Sequence, residues 1–381
     1  MIPLGLSATD QATFERGLLH DHEVSTTVRV LDMDHNVVGV VSDGVISGQV
    51  DVDSSQEVER SCSVEIVDRG NRLGLAAAGP MSPAVTLNRM VQVVYNVKIT
   101  GLPWIHIPLF TGPITKADEH GGQVSVTAQG KESLLNEPTA ISKTLTAGTV
   151  KSTAIRQYLA AMGETHTQFS AFPAVMAADQ KISGVEKPWP ILTQIARGII
   201  ADSSNYPYFG YDGNGICKLS SHSDAVKWVF DGSSLASTPK ITTDETEVKN
   251  WVRVVNNNAV LATKMAPVDS MFSPAALGRG GVPRYLMEDV STDSTDKTAA
   301  AKLAASTLDQ KLRASVSLEF ESLIVPHLEP RDVIQVVTDK WTWALQVTKW
   351  TIPLGASQAM SHGRNSQIRP VGKYAAKGKT R

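Results

Sequence analysis

Few residue groups in this 381-residue chain could carry chemistry, and none completes a catalytic or metal constellation. His20-Asp21-His22 would set two imidazoles on one side of an extended backbone, an arrangement that suits zinc, but no third ligand accompanies them and the pair falls at a helix end. Asp212-Gly213-Asn214-Gly215 opens like a calcium loop. Ile216 and Ser223 then occupy the fifth and twelfth positions, where an oxygen ligand and a bidentate glutamate are needed, so the segment predicts a hairpin turn. Gly278-Arg279-Gly280-Gly281 lacks the lysine and hydroxyl of a phosphate loop, and there is no Gly-x-Ser-x-Gly elbow. Glu319 and Glu321 share one strand face, which could serve glycosidic hydrolysis if a cleft lay there; a solvated or partner-facing surface is the commoner use of such a pair. Glu164, His166 and Asp202 could furnish a hydrolase, yet no spacing links them, and Trp189, Tyr206, Tyr208 and Tyr211 could stack on a sugar or equally pack a core. No catalytic, cofactor or metal site is expected.

The elements that must position these groups are mostly strands. Glycine, proline and β-branched residues are plentiful and helix-favouring windows few, which argues a mainly β chain too long for one ordinary core. The 36 basic and 38 acidic residues leave a net charge of −2, so no global field points to nucleic acid or an acidic membrane. Cys62 and Cys217 lie far apart and are expected as small core residues. No apolar run is long enough to span a bilayer and no signal segment opens the chain, so it is expected to be soluble where it is made, without stable membrane insertion.

Alternation is clearest from residue 316 to 350. Leu318 and Phe320 oppose Glu319 and Glu321, and Trp341, Trp343, Leu345 and Val347 oppose Thr342, Ala344 and Gln346, which predicts half-buried antiparallel strands with both tryptophans in the core. A weaker copy runs from Leu87 to Val94 and on to Phe110-Thr111-Gly112-Pro113-Ile114-Thr115-Lys116. Each copy passes an exposed-looking tryptophan before a Thr-Lys strand. Two related β-barrels are therefore expected. Four divisions follow: 1–136, a first barrel with a covering helix over Ser7–His20 and turns at Asp68–Asn71 and His120–Gly122; 137–246, an α+β insert with helices over Thr149–Met162 and Ile191–Ala201; 247–363, a second barrel preceded by a helix over Asp296–Leu312, with Ala301, Ala304, Leu308 and Leu312 as its stripe; and 364–381, a basic flexible tail. Residues 266–295 carry little periodicity yet many apolar side chains. Met271, Phe272, Leu277, Tyr285, Leu286 and Met287 mark this stretch as a candidate intersubunit loop.

The order barrel, insert, barrel, with an Ala-rich helix feeding Pro326-His327-Leu328-Glu329-Pro330-Arg331-Asp332-Val333, resembles baseplate hub and tail-tip proteins of tailed bacteriophages, the minor tail proteins of actinobacteriophages. Gly48 to Asp53 and Arg60 to Asp68 are similar to that family's first barrel, whereas Arg331 stands where its pattern has glycine. The resemblance implies two tail-tube-like barrels flanking the insert in a non-enzymatic virion protein made in the host cytoplasm. It also implies a homotrimer whose six barrels form a ring joining the tail tube to the tip. The implied partners are tail tube and distal tail proteins, the tape measure protein and other tail-tip proteins, with DNA passing transiently through the lumen. A tail-associated cell-wall hydrolase and a carbohydrate-binding receptor module are the alternatives.

Overall fold

The computed structural model describes the chain apart from residues 21, 43, 68–87, 121–122, 200–206, 222, 224, 244–247, 257–258, 293–294, 314–315, 340, 356–358 and 371–381. The expected turn at Asp68–Asn71, Leu87 of the weaker copy, Asp202, Tyr206 and the end of the basic tail lie outside the described residues.

The first half comprises α1 (Ala8–Leu18), β1 (Glu23–Leu31), β2 (Val37–Val41), β3 (Val45–Asp53), β4 (Arg60–Val67), β5 (Met90–Lys98), β6 (Ile105–His120) and β7 (Gln123–Gln129). Helix α1 begins where Ser7 accepts a hydrogen bond from the Asp10 amide at 3.2 Å, and it lays Phe14 and Leu18 onto the sheet. The period of two is plain in β7, where Val124, Val126 and Ala128 are buried between exposed neighbours. Strand β5 is buried on both faces from Met90 to Val97 because the insert covers the side that water would otherwise reach. Strand β6 changes partner along its length, pairing with β5 up to Pro113 and with β7 from Ile114. Gly112 sits at the crossing, where a Cβ would lie 2.0 Å from the Gln129 carbonyl oxygen, so only glycine fits.

The insert follows a 3-10 turn at Lys131–Leu135. It contains β8 (Lys143–Leu145), α2 (Lys151–Ala161), β9 (Thr167–Phe169), β10 (Gln180–Ile182), α3 (Pro188–Arg197), β11 (Tyr208–Tyr211) and β12 (Cys217–Ser220). Ile155, Tyr158, Leu159, Leu192, Phe209 and Leu219 belong to its own core. The sequence suggests Pro188-Trp189-Pro190 as a stiff entry to a helix starting at Ile191; these residues instead form the first turn of α3, where a proline without an amide proton is tolerated.

After the insert come β13 (Val226–Phe230) and β14 (Lys240–Thr243). A small layered unit of β15 (Trp251–Asn256), β16 (Ala259–Met265), β17 (Met287–Ser291) and α4 (Lys297–Arg313) is next, followed by β18 (Val316–Ser322), β19 (Val333–Val337), β20 (Thr342–Gln346), β21 (Lys349–Pro353) and β22 (Met360–Pro370). Residues 226–243, which the sequence composition groups with the insert, pair with the second half: β13 lies parallel to β19 and β14 antiparallel to β18. Helix α4 covers β15 and β16 through Ala300, Ala304 and Leu308; Ala301, expected in that stripe, is exposed, and Ala300 takes its place one position earlier. Strand β22 continues to Pro370, seven residues past the expected start of the tail at 364.

The chain is mainly β with an α+β insert, as expected. Fourteen strands form one sheet in which the first half runs β3-β4-β7-β6-β5-β1-β2. The second half runs β14-β18-β22-β20-β19-β13, with β21 beside β22. The second order repeats the first from β3 to β5, with β6 matched by β20 and β21; it departs at the end, where β13 lies parallel to β19 while β1 lies antiparallel to β5, and β2 has no counterpart among the described residues. The halves join where β21 pairs antiparallel with β3, and the path does not close into a ring among the described residues. One hydrophobic core runs through both halves, from Phe14 and Ile107 to Phe320 and Trp350.

Candidate functional site at the seat of the insert

Most of the buried charge of the molecule gathers where the insert meets both halves of the sheet. Arg60 opens β4 and continues the inward alternation of Cys62, Val64 and Ile66, so the strand itself drives a guanidinium into the interior. There it donates to the Tyr211 carbonyl of the insert at 3.2 Å, to the Leu109 carbonyl of the first half at 3.1 Å and to Glu329 of the second half at 3.0 Å. Glu59 accepts from the Tyr208 hydroxyl at 2.7 Å. Burial, reinforced by the neighbouring Glu132, pushes the Glu59 carboxyl up to about 8. Burial likewise lifts Glu132 to about 7, although the Tyr211 amide donates to it at 3.3 Å. Near neutrality Glu59 is therefore largely protonated and Glu132 about half so.

A second set of contacts fixes the β11–β12 turn. Asp212 accepts from the Asn214 and Ile216 amides, each at 2.9 Å, and pairs with Lys218 at 2.8 Å, so its carboxylate shapes the hairpin turn. Thr111 donates to the Gly213 carbonyl at 2.9 Å and Gln92 to Asn214 at 3.0 Å. Lys131 lies between the Gly215 carbonyl at 3.2 Å and His35 Nε2 at 2.9 Å, and it forms a buried ion pair with Glu164. Burial first, and then the Lys131 charge, hold His35 down to about 4, leaving its ring neutral and stacked on His166 at 4.2 Å. From the second half, Arg331 adopts φ +68°, donates to the Pro207 carbonyl at 3.3 Å and lies 5.7 Å from the Tyr208 ring centroid. The position at which the resembled family has glycine is thus a left-handed one, filled here by an arginine that grips the insert.

The sequence-derived candidates separate clearly. Glu164 and His166 come together beside a cleft of about 370 Å³, but their 3.8 Å gap exceeds hydrogen-bond range and Glu164 is held by Lys131. Trp189 stacks on Phe209 and Tyr211 at 4.6 and 5.5 Å, so these aromatic rings pack against one another in the insert core. His22 Nδ1 contacts the His20 carbonyl at 2.8 Å, and no cluster able to hold a metal ion occurs among the described residues. Glu319 pairs across β14 with Lys240 at 3.2 Å. Trp343 is half-buried against the core, but Trp341 is 45% exposed, a correction to its expected burial. Trp341 precedes β20, in a turn closed by Thr338, so strand alternation does not reach it.

The stretch 266–295 is not structureless: residues 287–291 form β17, and Asn250 holds the chain before it by donating to the Arg284 carbonyl and accepting from the Leu286 amide. Met271, Tyr285 and Met287 are exposed, whereas Phe272, Leu277 and Leu286 are half-buried. The buried ionic residues were not singled out in the sequence. Their one legible sign is Arg60, an arginine in register with three inward apolar residues.

No family model and no curated protein matches the sequence. Solved structures do match its fold. A tail protein from Neisseria meningitidis MC58 aligns with a TM-score of 0.60 at 14% identity, covering 90% of this chain and 96% of that one. The 43 kDa tail protein of prophage MuSo2 from Shewanella oneidensis gives 0.59 at 10%, covering 91% and 98%. The fold is that of phage tail proteins. A chain of the half-lidded Francisella PdpA-VgrG complex shares it at a TM-score of 0.53 and 7% identity, over 92% of this chain and 58% of that one. The tail-protein fold agrees with the hub resemblance carried by the sequence motifs, and its near-complete coverage takes in the insert as well as both halves of the sheet.

Proposed function

We propose that this chain is a non-enzymatic subunit of the hub of a phage tail tip or baseplate, a virion protein that assembles as a homotrimer and joins the tail tube to the components below it. One observation carries this reading: the strand order is repeated within one chain, and the repeats are joined edge to edge by β21 on β3. In the first half the counterpart of β21 is the section of β6 from Ile114, which among the described residues pairs only with β7. In the second half the counterpart of β3 is β14, which among the described residues pairs only with β18. The internal seam therefore leaves its own two complementary edges open. Joining β14 of one chain to β6 of the next repeats the internal contact between chains, a head-to-tail arrangement that closes if the rotation is right. Three chains would give six similar units, able to meet a sixfold tube on one side and a threefold tip on the other.

Tail tube and distal tail proteins, the tape measure protein and other tail-tip proteins are the partners this role requires. The 271–287 segment, with Met271, Tyr285 and Met287 outward, is placed in the same reading as an intersubunit contact, and a central lumen would let DNA pass. The edge-to-edge joint is tested by Ile241→Asp. Ile241 is 48% exposed on β14, and a charged side chain on that edge opposes strand pairing with a second chain. The variant should keep its circular dichroism and unfolding midpoint while remaining monomeric on sizing. Undiminished assembly would remove β14 from the joint.

A further inference from the structure

Between the β3–β4 turn, helix α3 and the Arg331 turn lies a cleft of about 180 Å³ that the contacts seating the insert leave unfilled. Its walls bring together Arg197, Arg331, Thr193, Trp189, Phe209 and Glu59. Neither guanidinium is in an ion pair among the described residues: Arg331 donates to the Pro207 carbonyl and lies against the face of Tyr208. Arg197 lies close enough to Arg331 for repulsion between them, together with burial, to lower its affinity for a proton. The Thr193 hydroxyl, one helical turn before Arg197 on the same face of α3, is buried without a hydrogen-bond partner. Of the two acids in the lining, Glu59 is held up to about 8 by burial, and Glu57 is exposed and accepts from Asn136, so the two guanidiniums outnumber the carboxylate groups left to face them at neutral pH.

We propose that this cleft is a binding site for a carboxylate side chain, an aspartate or glutamate presented by a partner protein and clamped between Arg197 and Arg331. Guanidinium forks match a planar carboxylate in charge and geometry. The Thr193 hydroxyl supplies a donor that nothing else in the chain uses. The stacked rings of Trp189 and Phe209 offer a flat apolar wall for the methylene groups of the side chain. Size decides between a side chain and a free metabolite: the cleft is well below the roughly 300 to 1,000 Å³ typical of small-molecule pockets. Because Arg197 sits in the last turn of α3, where helix carbonyls already carry partial negative charge, a monoanion suits the site better than a dianion.

Arg197 is exposed at the mouth and bears no part of the insert's seat, so Arg197→Gln isolates the site without loosening the junction. Triglutamate, titrated into the full-length protein at low salt and followed by calorimetry, should bind, and Arg197→Gln should weaken it by about tenfold or more with an unchanged unfolding midpoint. Arg197→Lys should fall between the two. Triglutamine should not bind. Absence of triglutamate binding, equal binding by Arg197→Gln, or equal binding of triglutamine would overturn the proposal, and inorganic phosphate binding in place of triglutamate would overturn the carboxylate assignment. The titration reads the isolated chain and does not depend on its assembly into a hub.

Discussion

At the level of single residues, the seat of the insert works by burying acids in their neutral form beside arginines that stay charged. Glu59 has an ordinary value of 4.5 and is raised to about 8 in the folded chain. Below about pH 4.5 it is protonated in both states and its contribution to stability is intact. As pH rises toward 8 the unfolded chain releases that proton while the folded chain keeps it, so stability falls. Glu132, raised to about 7, acts in the same direction. His35, His327 and His362 act oppositely: burial holds them down to about 4, 4 and 3, and stability is lost as pH falls below their ordinary 6.5. Above pH 6.5 these histidines are neutral in both states, which leaves Glu59, Glu132 and Glu329, the last likewise raised by burial, to set the slope. Thermal unfolding midpoints between pH 6.5 and 8 should therefore decline in the wild type and decline less in Glu59→Gln, whose amide keeps the Tyr208 contact. Parallel declines would show that Glu59 is already ionised in the folded chain.

At the level of elements, the strands were the most legible part of the sequence because one buried face imposes a period of two. The alternation read from residue 316 onward holds in β18, where Leu318 and Phe320 are buried and Glu319 and Glu321 are not. Trp341, expected in the core, is 45% exposed and Trp104 38% exposed, each in the connection before its strand, where alternation does not reach. Periodicity failed where an element was short or its face was set by a distant partner. Strands β13 and β14 have few residues each and sit in Ser- and Thr-rich surroundings, so composition grouped them with the insert, whereas their partners β19 and β18 lie some ninety residues downstream in the sequence, beyond the reach of local pattern. Strand β17 was hidden for the same reason, its parallel pairing to β15 crossing a proline- and glycine-rich loop. The boundary can be tested by deletion. Removing residues 137–222 should leave the sheet folded, by circular dichroism and sizing, because the removed elements have their own core. Removing 137–246 also takes β13 and β14, with Trp228 and Phe230 of the main core, and each such aromatic is worth roughly 3 to 5 kcal/mol. The longer deletion should aggregate; equal behaviour of the two would return β13 and β14 to the insert.

At the level of the whole molecule, the candidate site divides into what sequence could reveal and what only the fold brings together. Glu164 and His166, which no sequence spacing links, come together in the fold with the imidazole 3.8 Å from the carboxylate, and Glu164 pairs with Lys131. The ionic seat was not legible, because Arg60, Leu109, Tyr211 and Glu329 come from four separate strands and loops and meet only when both halves and the insert are assembled. The same assembly leaves β14 and the end of β6 as matching open edges, and these make the oligomer the most consequential property of the chain. Native mass spectrometry of the purified protein, alone and mixed with its tail-tube partner, measures that property directly. A species of three chains, retained when the tube protein binds, is the expected result; a chain that stays monomeric at every concentration and with the partner present, or that closes as a dimer, would contradict the trimeric hub.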